Sequence, residues 1–552
     1  MLVNDKIWAA QGDVPCCLLL NQANRHGLIA GASGTGKTVT LKVLAEGFSN
    51  AGVPVFMADV KGDVTGMAQG GAISDNLRQR MDFFGIKEDE FSFQGCPMRV
   101  WDMLGGDGVP VRITVSDMGP TLLSRLLGLS DVQEGVLNIV FRVADDQGLL
   151  LIDLKDLRAM LAYVLEHAKE YQSTYGNVSA QSVGAIQRSL IAVEDQGGDV
   201  FFGEPSLELD DWFACAPDGR GYVNLLNASR LIQSPQVYAM FLLWMLSSLF
   251  EGLPEVGDPD KPRFVFFFDE AHLLFDGMPK GLRDKIVQVV KLIRSKGVGV
   301  YFITQSPSDI PDEVLAQLSN RIQHGLRAYT PAEQKAVRAA ADSFRANPAF
   351  DSAQALQDLG TGEALVSLLD EEGKPSVVQR AKVLFPQCRM AAADADVMQS
   401  VLAGQGNLMD KYGTAVDRLS AYETIEGQNA EAEANAKLAA ERAAFEKEKA
   451  EFEAQRQKEA QKAERERQKA EEKAAQAAQR EQERQQRQLE REAEAAAKRE
   501  AAEQARAERE AQRKQEQMAK QVGRFANSIL GTFGREATRQ LTRGLFNSLK
   551  RR

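Results

Sequence analysis

The sequence predicts an α/β fold in which helices pack on a parallel sheet. Three observations predict it. A glycine-rich segment at residues 31–38 lies between a short apolar strand and a helical pattern, five apolar residues at 264–268 end in two acidic residues, and a further apolar strand follows at 297–303. Apolar runs of this length, alternating with helical segments, are typical of strands buried on both faces of a parallel sheet. At 552 residues, the chain has room for two or more folding units.

The glycine-rich segment has the complete pattern G-x-x-x-x-G-K-[ST]. Its residues are Gly31, Ala32, Ser33, Gly34, Thr35, Gly36, Lys37 and Thr38. The glycines let backbone N–H groups turn towards phosphate oxygens, the lysine supplies a cation to the outer phosphates, and the threonine hydroxyl is a ligand for Mg²⁺. Apolar residues 26–30 before the segment and helical spacing over 39–48 after it supply the strand and helix that the motif requires. We therefore predict that the segment binds a nucleoside triphosphate, with ATP and Mg²⁺ as the expected cofactors.

A second signal for a nucleotide site lies far downstream. The apolar strand at 264–268 leads directly into Asp269 and Glu270. Open α/β sheets bind ligands at the carboxyl ends of their strands. Asp269 is therefore expected to hold Mg²⁺, directly or through water, and Glu270 to polarise the water that attacks the γ-phosphate. The alternative is a core strand that merely ends in a solvated turn, and the presence of the phosphate-binding loop makes this alternative less favoured.

Three further polar residues lie at the ends of strand-like segments. Gln305 comes just after the strand at 297–303, where an amide can orient water or sense the γ-phosphate. Arg321 and Arg327 bound the next predicted strand, near the edge of the sheet. Either can reach the nucleotide of a neighbouring subunit as an arginine finger. A surface arginine in an ion pair is an equally good interpretation of each.

Composition divides the chain into a core and a tail. Residues 1–390 are expected to form the nucleotide-binding domain, in which residues 64–260 are too long for a loop and are predicted to form a helical subdomain. Residues 391–427 are predicted to be a linker. Residues 428–520 consist mainly of Ala, Glu, Gln, Lys and Arg, which favour a long charged helix or a loose coiled coil. Residues 521–552 have the pattern of a basic amphipathic segment.

Composition and charge also limit the class of protein. The five cysteines and four histidines show no ligand spacing, so no structural metal is predicted. The first residues lack a secretory signal and the apolar run 237–250 is short for a bilayer, so a cytoplasmic location is expected. Residues 441–552 carry 28 Lys and Arg against 21 Asp and Glu, whereas the preceding body is acidic. The basic end can dock on the acidic body of a neighbouring subunit, make a peripheral contact with an anionic membrane surface, or bind nucleic acid.

Five segments, taken in order, resemble a known family. Residues 31–38, 57–63, 264–272, 294–307 and 362–364 closely resemble the HerA/FtsK superfamily of P-loop motor ATPases, and most closely its bacterial HerA-like ATPases of the YjgR type. The resemblance covers roughly residues 20–385. It implies a RecA-like P-loop NTPase core that is commonly hexameric, with ATP bound between subunits. HerA itself has a β-barrel before the motor, whereas only about thirty residues precede the loop here, so DNA-end processing with a nuclease partner is not expected.

The resemblance also assigns roles to individual residues. By this similarity Lys37 and Thr38 contact phosphate and Mg²⁺, Asp269 and Glu270 have the metal and water roles, Gln305 is the sensor, and Arg321 is the best positional match to the trans-acting arginine. The resulting hypothesis is an oligomeric Mg²⁺-dependent ATPase that translocates a polymer, with DNA as the expected substrate. Two alternatives stay open: a motor that translocates protein, and a nucleotide-controlled scaffold whose tail recruits partners or a membrane.

Overall fold

The structure is a computed structural model that describes residues 1–230, 234–275 and 280–485. The predicted basic segment 521–552 and the end of the predicted charged helix lie outside the described residues. Residues 1–433 form one compact unit, and the described part of a second unit begins at residue 434.

The described residues contain thirteen strands, all of which belong to one sheet. They are β1 (Leu2–Val3), β2 (Lys6–Gln11), β3 (Pro15–Leu19), β4 (Gly27–Ala30), β5 (Val55–Asp59), β6 (Met98–Asp102), β7 (Val109–Pro110), β8 (Val223–Asn227), β9 (Phe264–Phe268), β10 (Val298–Thr304), β11 (Asn320–His324), β12 (Glu363–Ser367) and β13 (Gln379–Val383). From one edge to the other, the order is β1-β2-β13-β12-β11-β4-β10-β9-β5-β8-β6-β7, and β3 pairs with β2 outside this path.

The sheet has a parallel part and an antiparallel part. The eight strands from β11 to β7 in this order are parallel to their neighbours. At β11 the pairing changes, because β12, β13 and β2 follow as antiparallel neighbours. The predicted α/β fold with a parallel sheet is confirmed, and the predicted hairpin at its end corresponds to β12 and β13.

Seventeen helices accompany the sheet in the described residues. They are α1 (Lys37–Asn50), α2 (Asp75–Phe84), α3 (Val115–Leu126), α4 (Asp131–Gln147), α5 (Leu154–Glu166), α6 (Ala168–Tyr175), α7 (Ala180–Glu194), α8 (Gly198–Phe201), α9 (Pro235–Gly252), α10 (His272–Phe275), α11 (Lys280–Ile293), α12 (Asp312–Leu315), α13 (Pro331–Asp342), α14 (Ser352–Asp358), α15 (Ala395–Ala403), α16 (Gly406–Tyr412) and α17 (Ala421–Gln485). The apolar run 237–250 lies in α9, whose apolar side chains are mostly buried in the protein core. Among the described residues, no helix is both long and apolar enough to span a bilayer.

Alternate residues of the central strands point into two separate cores. Phe264, Phe266 and Phe268 of β9 lie in the larger core, which also contains residues of α3 to α9 and α11. Val265 and Phe267 of the same strand lie in the other core, with residues of α1. This period of two is what a strand covered on both faces requires, and it explains why every residue of β9 is apolar.

The segment 64–260 differs from the predicted helical subdomain. Most of it is helical, but β6, β7 and β8 within it extend the main sheet beyond β5. Trp101 of β6 and Leu226 of β8 belong to the same core as the central strands. The segment is therefore built onto the sheet and shares its core, because its strands continue the hydrogen bonding of β5.

The predicted linker 391–427 also differs. It contains α15, α16 and the start of α17, and Leu408, Tyr412 and Ile425 are buried in the larger core. Asp156 accepts hydrogen bonds from the backbone N–H of Tyr422, at 2.9 Å, and from the Ser420 hydroxyl. These contacts attach the beginning of α17 to the compact unit. In the described residues, α17 occupies the predicted long helix as far as Gln485 and begins earlier than expected, at Ala421.

Candidate nucleotide-binding and catalytic site

The phosphate-binding loop connects β4 to α1, as the sequence predicts. Gly31, Gly34 and Gly36 all have positive φ, at 152°, 76° and 111°. At Gly31 a Cβ atom would lie 2.5 Å from the Cβ of His324, so a side chain there would collide with the end of β11. The loop needs glycine at Gly31 both for its backbone conformation and for this close approach.

Hydrogen bonds from three neighbouring segments fix the loop. The N–H of Gly31 donates to the carbonyl of Thr304 at 3.2 Å, and the N–H of Ala32 donates to that of Gly325 at 2.9 Å. On the other side, the N–H of Gly362 donates to the carbonyl of Thr35 at 2.9 Å. The ends of β10 and β11 and the start of β12 therefore hold the loop in place, which is the rigidity that a phosphate cradle requires.

Lys37 folds back over this loop. Its ammonium donates to the carbonyl oxygens of Gly31, at 2.6 Å, and Ala32, at 3.1 Å. Burial lowers the pKa of Lys37, while the nearby charge of Glu270 acts to raise it. Phosphate oxygens carry full negative charge and are stronger acceptors than carbonyls. The ammonium is therefore placed to exchange its carbonyl partners for phosphate.

Asp269 and Glu270 follow β9, and each is at least nine-tenths buried. Asp269 accepts a hydrogen bond from the backbone N–H of Glu270 at 2.9 Å. Burial, together with the charge of Glu270, raises the pKa of Asp269 to about 6. Glu270 has a φ of 49°, a left-handed conformation that is uncommon outside glycine and is found at functional sites.

Three side chains converge on the carboxylate of Glu270. The Lys61 ammonium lies 2.5 Å from Oε1, the Gln305 amide nitrogen lies 3.5 Å from Oε2, and His272 Nδ1 lies 3.3 Å from Oε2. Burial acts to raise the pKa of Glu270, but the hydrogen bond and charge of Lys61 outweigh it, and the net effect lowers the pKa. Glu270 is therefore held as a carboxylate.

No local sequence pattern assigns a role to Lys61 or His272. Lys61 lies in the turn after β5, more than two hundred residues before Glu270, and it reaches the site because β5 pairs with β9. Asp59 stabilises this turn by accepting hydrogen bonds from the backbone N–H groups of Gly62, at 2.7 Å, and Val64, at 3.2 Å. The signal available in the sequence was the charged segment 59–63 after an apolar strand, but the neighbour of that strand could not be read from it.

The predicted site residues of the central strands lie at one edge of the sheet, a place that we call the crevice. Ala30 of β4 pairs with Thr304 of β10, and Phe302 of β10 pairs with Phe268 of β9, so the three strands end side by side. This arrangement brings the phosphate-binding loop, the two acidic residues and Gln305 together. The roles of these residues stay predictions, whereas their common location is observed.

Arg321 has a different environment from the one the sequence predicts. It lies near the start of β11, and its guanidinium donates to the carbonyls of Leu318 at 2.9 Å, Leu315 at 3.0 Å and Ser343 at 3.2 Å. Burial lowers its pKa. These three bonds within one chain favour a structural role, because all of them would have to break before the side chain could reach another subunit.

Arg327, the other candidate, is exposed and lies beside the phosphate-binding loop. It lines a cavity of about 410 Å³ together with Ser33, Gln305 and Glu333. Its position is next to the loop of its own chain, on the side of β11 where the strand ends. The sequence predicts both arginines near the sheet edge. In the structure, Arg321 lies near the start of β11, whereas Arg327 follows the end of this strand and lies beside the phosphate-binding loop.

The residues present fit a magnesium nucleotide. Thr38 stands in the first turn of α1 with its side chain partly exposed, and Asp269 directly follows β9, which is separated from β4 by β10. Hydroxyl and carboxylate oxygens are the ligands that Mg²⁺ prefers. At Gly34 the space that a side chain would take is open for at least 4 Å, which leaves room for a phosphate against the backbone. In the described part of the chain, no cluster of three or more His, Cys, Asp or Glu residues forms a separate metal site.

Comparison with known proteins identifies curated relatives over part of the chain. A stretch of 149 residues is 28% identical to the DNA double-strand break repair helicase HerA of Sulfolobus acidocaldarius, and covers 26% of this chain and 29% of that protein. A stretch of 125 residues is 31% identical to a protein of Methanocaldococcus jannaschii named "Probable helicase MJECL08", and covers 22% of each. The matches thus span less than a third of either relative.

Among solved structures, the unbound form of the bacterial conjugative coupling protein TrwB is similar in fold. The alignment covers 70% of this chain and 90% of the TrwB chain, with 15% identity and a TM-score of 0.46.

The family described as "Helicase HerA-like C-terminal" matches residues 4–478, which is most of the chain. The matched range includes the phosphate-binding loop and all of the strands except β1. The chain belongs to the HerA-like helicase C-terminal family.

Proposed function

We propose that the protein is a Mg²⁺-dependent ATPase that works as an oligomer, and that hydrolysis drives the translocation of DNA. The observation that carries the proposal is the convergence of the phosphate-binding loop, Asp269, Glu270 and Gln305 at the ends of β4, β9 and β10. A loop without a catalytic carboxylate would bind nucleotide but not hydrolyse it. The pairing of the two in one crevice supports hydrolysis.

Each residue of the crevice has a distinct task in this proposal. The backbone N–H groups of residues 33–38 and the Lys37 ammonium bind the phosphates, and Thr38 and Asp269 hold Mg²⁺. The metal ion, when bound, neutralises charge on the phosphate oxygens. Glu270 accepts a hydrogen bond from the attacking water and orients it, and the Gln305 amide helps to fix the position of that carboxylate.

The motor part of the proposal rests on family membership. The family description and the names of both curated relatives refer to helicases. We propose by this relationship that the substrate is DNA and that the chain assembles as a homo-oligomer, with a hexamer as the expected form. A second possibility, translocation of protein, uses the same catalytic crevice and differs only in the polymer.

The proposal is tested by measuring ATP hydrolysis with duplex DNA, single-stranded DNA, RNA and an unfolded polypeptide. We expect duplex DNA to raise kcat several-fold and the polypeptide to have no effect. Stimulation by polypeptide alone would support the protein-translocating alternative. If no polymer changed kcat, the motor proposal would be wrong, although the ATPase proposal would still stand.

The catalytic part is tested separately with Glu270→Gln. This variant keeps the size and hydrogen-bonding groups of the side chain but cannot act as a carboxylate. We expect it to bind ATP with unchanged affinity and to hydrolyse it at least about 100-fold more slowly. Wild-type turnover by this variant would remove Glu270 from the catalytic machinery.

The scaffold alternative has its own basis in the basic sequence 521–552. We propose a peripheral contact with anionic membrane surfaces as its simplest form. Co-sedimentation with vesicles containing anionic lipid compares the full chain with a chain ending at residue 433, where the compact unit ends. Equal sedimentation of both would contradict a membrane role for the tail.

A further inference from the structure

We propose that Lys61 is a positioning residue that restrains Glu270, holding its carboxylate towards β5 and away from the phosphate-binding loop until the ion pair is broken. The inference rests on the proposed role of Glu270 in hydrolysis. It adds a residue that neither the motifs nor the family description assigns. Its physical basis is that, of the two side chains that reach this carboxylate from the flanking strands, Lys61 lies closer than Gln305.

The neighbours of Glu270 lie on opposite sides of it. In the sheet, β9 lies between β10 and β5. Gln305 follows β10, and the other neighbour of β10 is β4, the strand before the phosphate-binding loop. Lys61 follows β5. The Lys61 ammonium is 2.5 Å from Glu270, whereas the Gln305 amide is 3.5 Å away, at the limit of a hydrogen bond. The carboxylate is therefore held more tightly from the side of β5 than from the side of β10, while its charge still acts on Lys37 of the phosphate-binding loop.

The turn that carries Lys61 is held independently of Glu270. The Asp59 carboxylate accepts hydrogen bonds from Gly62, Val64 and Thr65, and the Thr65 hydroxyl donates to the carbonyl of Gly62 at 2.9 Å. The position of the Lys61 backbone is thus fixed by its own turn. What can change without disturbing the fold is the lysine side chain and the direction of the carboxylate.

The exposures of the Lys61 and Glu270 side chains are consistent with an ion pair that can break and form again. The Glu270 side chain is only 9% exposed, whereas that of Lys61 is 54% exposed. The lysine can therefore turn into solvent without leaving a buried charge of its own, and the carboxylate then remains next to Gln305 and His272. The cost of release is that the buried Glu270 carboxylate loses its ammonium partner and keeps only the Gln305 amide at 3.5 Å and His272 Nδ1 at 3.3 Å.

The test measures kcat and KM for ATP hydrolysis, without polymer, in the full-length chain. Lys61→Met removes the charge and keeps the length of the side chain, and Lys61→Arg keeps the charge. The control is Lys6→Met. Lys6 lies on β2, outside the site, its side chain is 43% exposed, and its ammonium lies 3.1 Å from the Glu371 carboxylate. Binding of a non-hydrolysable ATP analogue is measured for every variant.

We expect Lys61→Met to raise kcat about 3- to 10-fold, with KM changed by less than about 2-fold. Lys61→Arg and Lys6→Met should stay within about 2-fold of wild type. In the Glu270→Gln background, Lys61→Met should have no effect, because the lysine acts through that carboxylate. Lys61→Gln serves as a second neutral variant and decides the question if the methionine variant does not fold.

An unchanged or lower kcat in the neutral variants would overturn the proposal, since Lys61 would then be inert or would hold Glu270 in its productive position. An equal rise in Lys61→Arg would also overturn it, because charge would not be the cause. A Glu270→Gln variant with wild-type turnover would instead contradict the proposed function itself. The two failures are therefore distinguishable.

Discussion

The ammonium of Lys42 donates a 2.7 Å hydrogen bond to the carbonyl oxygen of Asp63, so the helix that follows the phosphate-binding loop holds the turn that carries Lys61. The same ammonium donates to the carbonyls of Arg389, at 3.1 Å, and Met390, at 2.8 Å. Lys42 is fully buried, and burial lowers its pKa. One lysine thus connects α1, the turn after β5 and the chain that leads out of the sheet.

Replacing this lysine should destabilise the compact unit. Lys42→Met keeps the apolar stem but leaves the three carbonyl oxygens without this donor in a buried place. We expect a loss of about 3 kcal/mol in the free energy of unfolding, measured by chemical denaturation. Lys6→Met, an exposed change on β2, should stay within about 0.5 kcal/mol. A loss below about 1 kcal/mol for Lys42→Met would show that the carbonyls find other donors.

The parts of the site that a local pattern defines could be predicted from the sequence. The loop at residues 31–38 and the strand ending in Asp269 each have a strong local signature, and the structure has them where the patterns predict. Their meeting in one crevice also followed, because the carboxyl ends of parallel strands lie at the same edge of a sheet.

What depends on strand order could not be predicted. The Lys61–Glu270 pair exists because β5 is the neighbour of β9, and no local pattern fixes that pairing. The same holds for the pairing of β6 with β8, which extends the sheet within the segment 64–260. The environment of Arg321 also depends on the fold, because its carbonyl partners are Leu315 of α12, Leu318 just after that helix and Ser343 just after α13.

A second prediction concerns nucleotide binding by the loop. At a concentration of ATP and Mg²⁺ about 100 times the dissociation constant, ligand binding stabilises a folded protein by about 2.7 kcal/mol. We expect this stabilisation in wild type, measured as a rise in Tm, and its loss in Lys37→Ala, because that variant lacks the cation for the outer phosphates. Lys6→Met should respond as wild type does. An undiminished rise in Lys37→Ala would contradict the assignment of this loop as the phosphate site.

A third prediction separates two roles for Arg321. If its role is structural, Arg321→Ala should lower the free energy of unfolding by about 2 kcal/mol, because three hydrogen bonds from a charged group are lost. Arg327→Ala, at an exposed position, should change stability by less than about 0.5 kcal/mol and serves as the control. Stability of the folded Arg321→Ala variant equal to wild type, together with a loss of about 1,000-fold in kcat, would instead identify the trans-acting arginine.

The last prediction concerns pH and His26, which is almost completely buried at the start of β4. Its Nδ1 accepts a hydrogen bond from the backbone N–H of Val300 at 3.0 Å, so Nε2 carries the proton and donates to the carbonyl of Val290 at 2.8 Å. A second proton would have to enter at Nδ1, where a donor already points. Burial, aided by the charge of Arg294, lowers the pKa of His26 from 6.5 to about 4.

The sign of the effect follows from proton binding. Between pH 6.5 and about 4 the unfolded chain binds a proton at His26 and the folded chain does not. Stability therefore is complete above pH 6.5 and falls as the pH is lowered through this window, by a total of about 3 kcal/mol from this group. His324, buried below the phosphate-binding loop with its pKa lowered to about 4, contributes in the same direction.

The contribution of His26 is isolated by comparing wild type with His26→Asn. Asparagine does not titrate in this range, so the variant removes this site of proton binding. We expect the variant to be less stable at pH 7.5 but to lose about 3 kcal/mol less between pH 6.5 and pH 4 than wild type does. The free energy of unfolding, measured by urea denaturation at several pH values, gives both slopes. Parallel slopes for the two proteins would mean that His26 is protonated as readily in the folded chain as in the unfolded one.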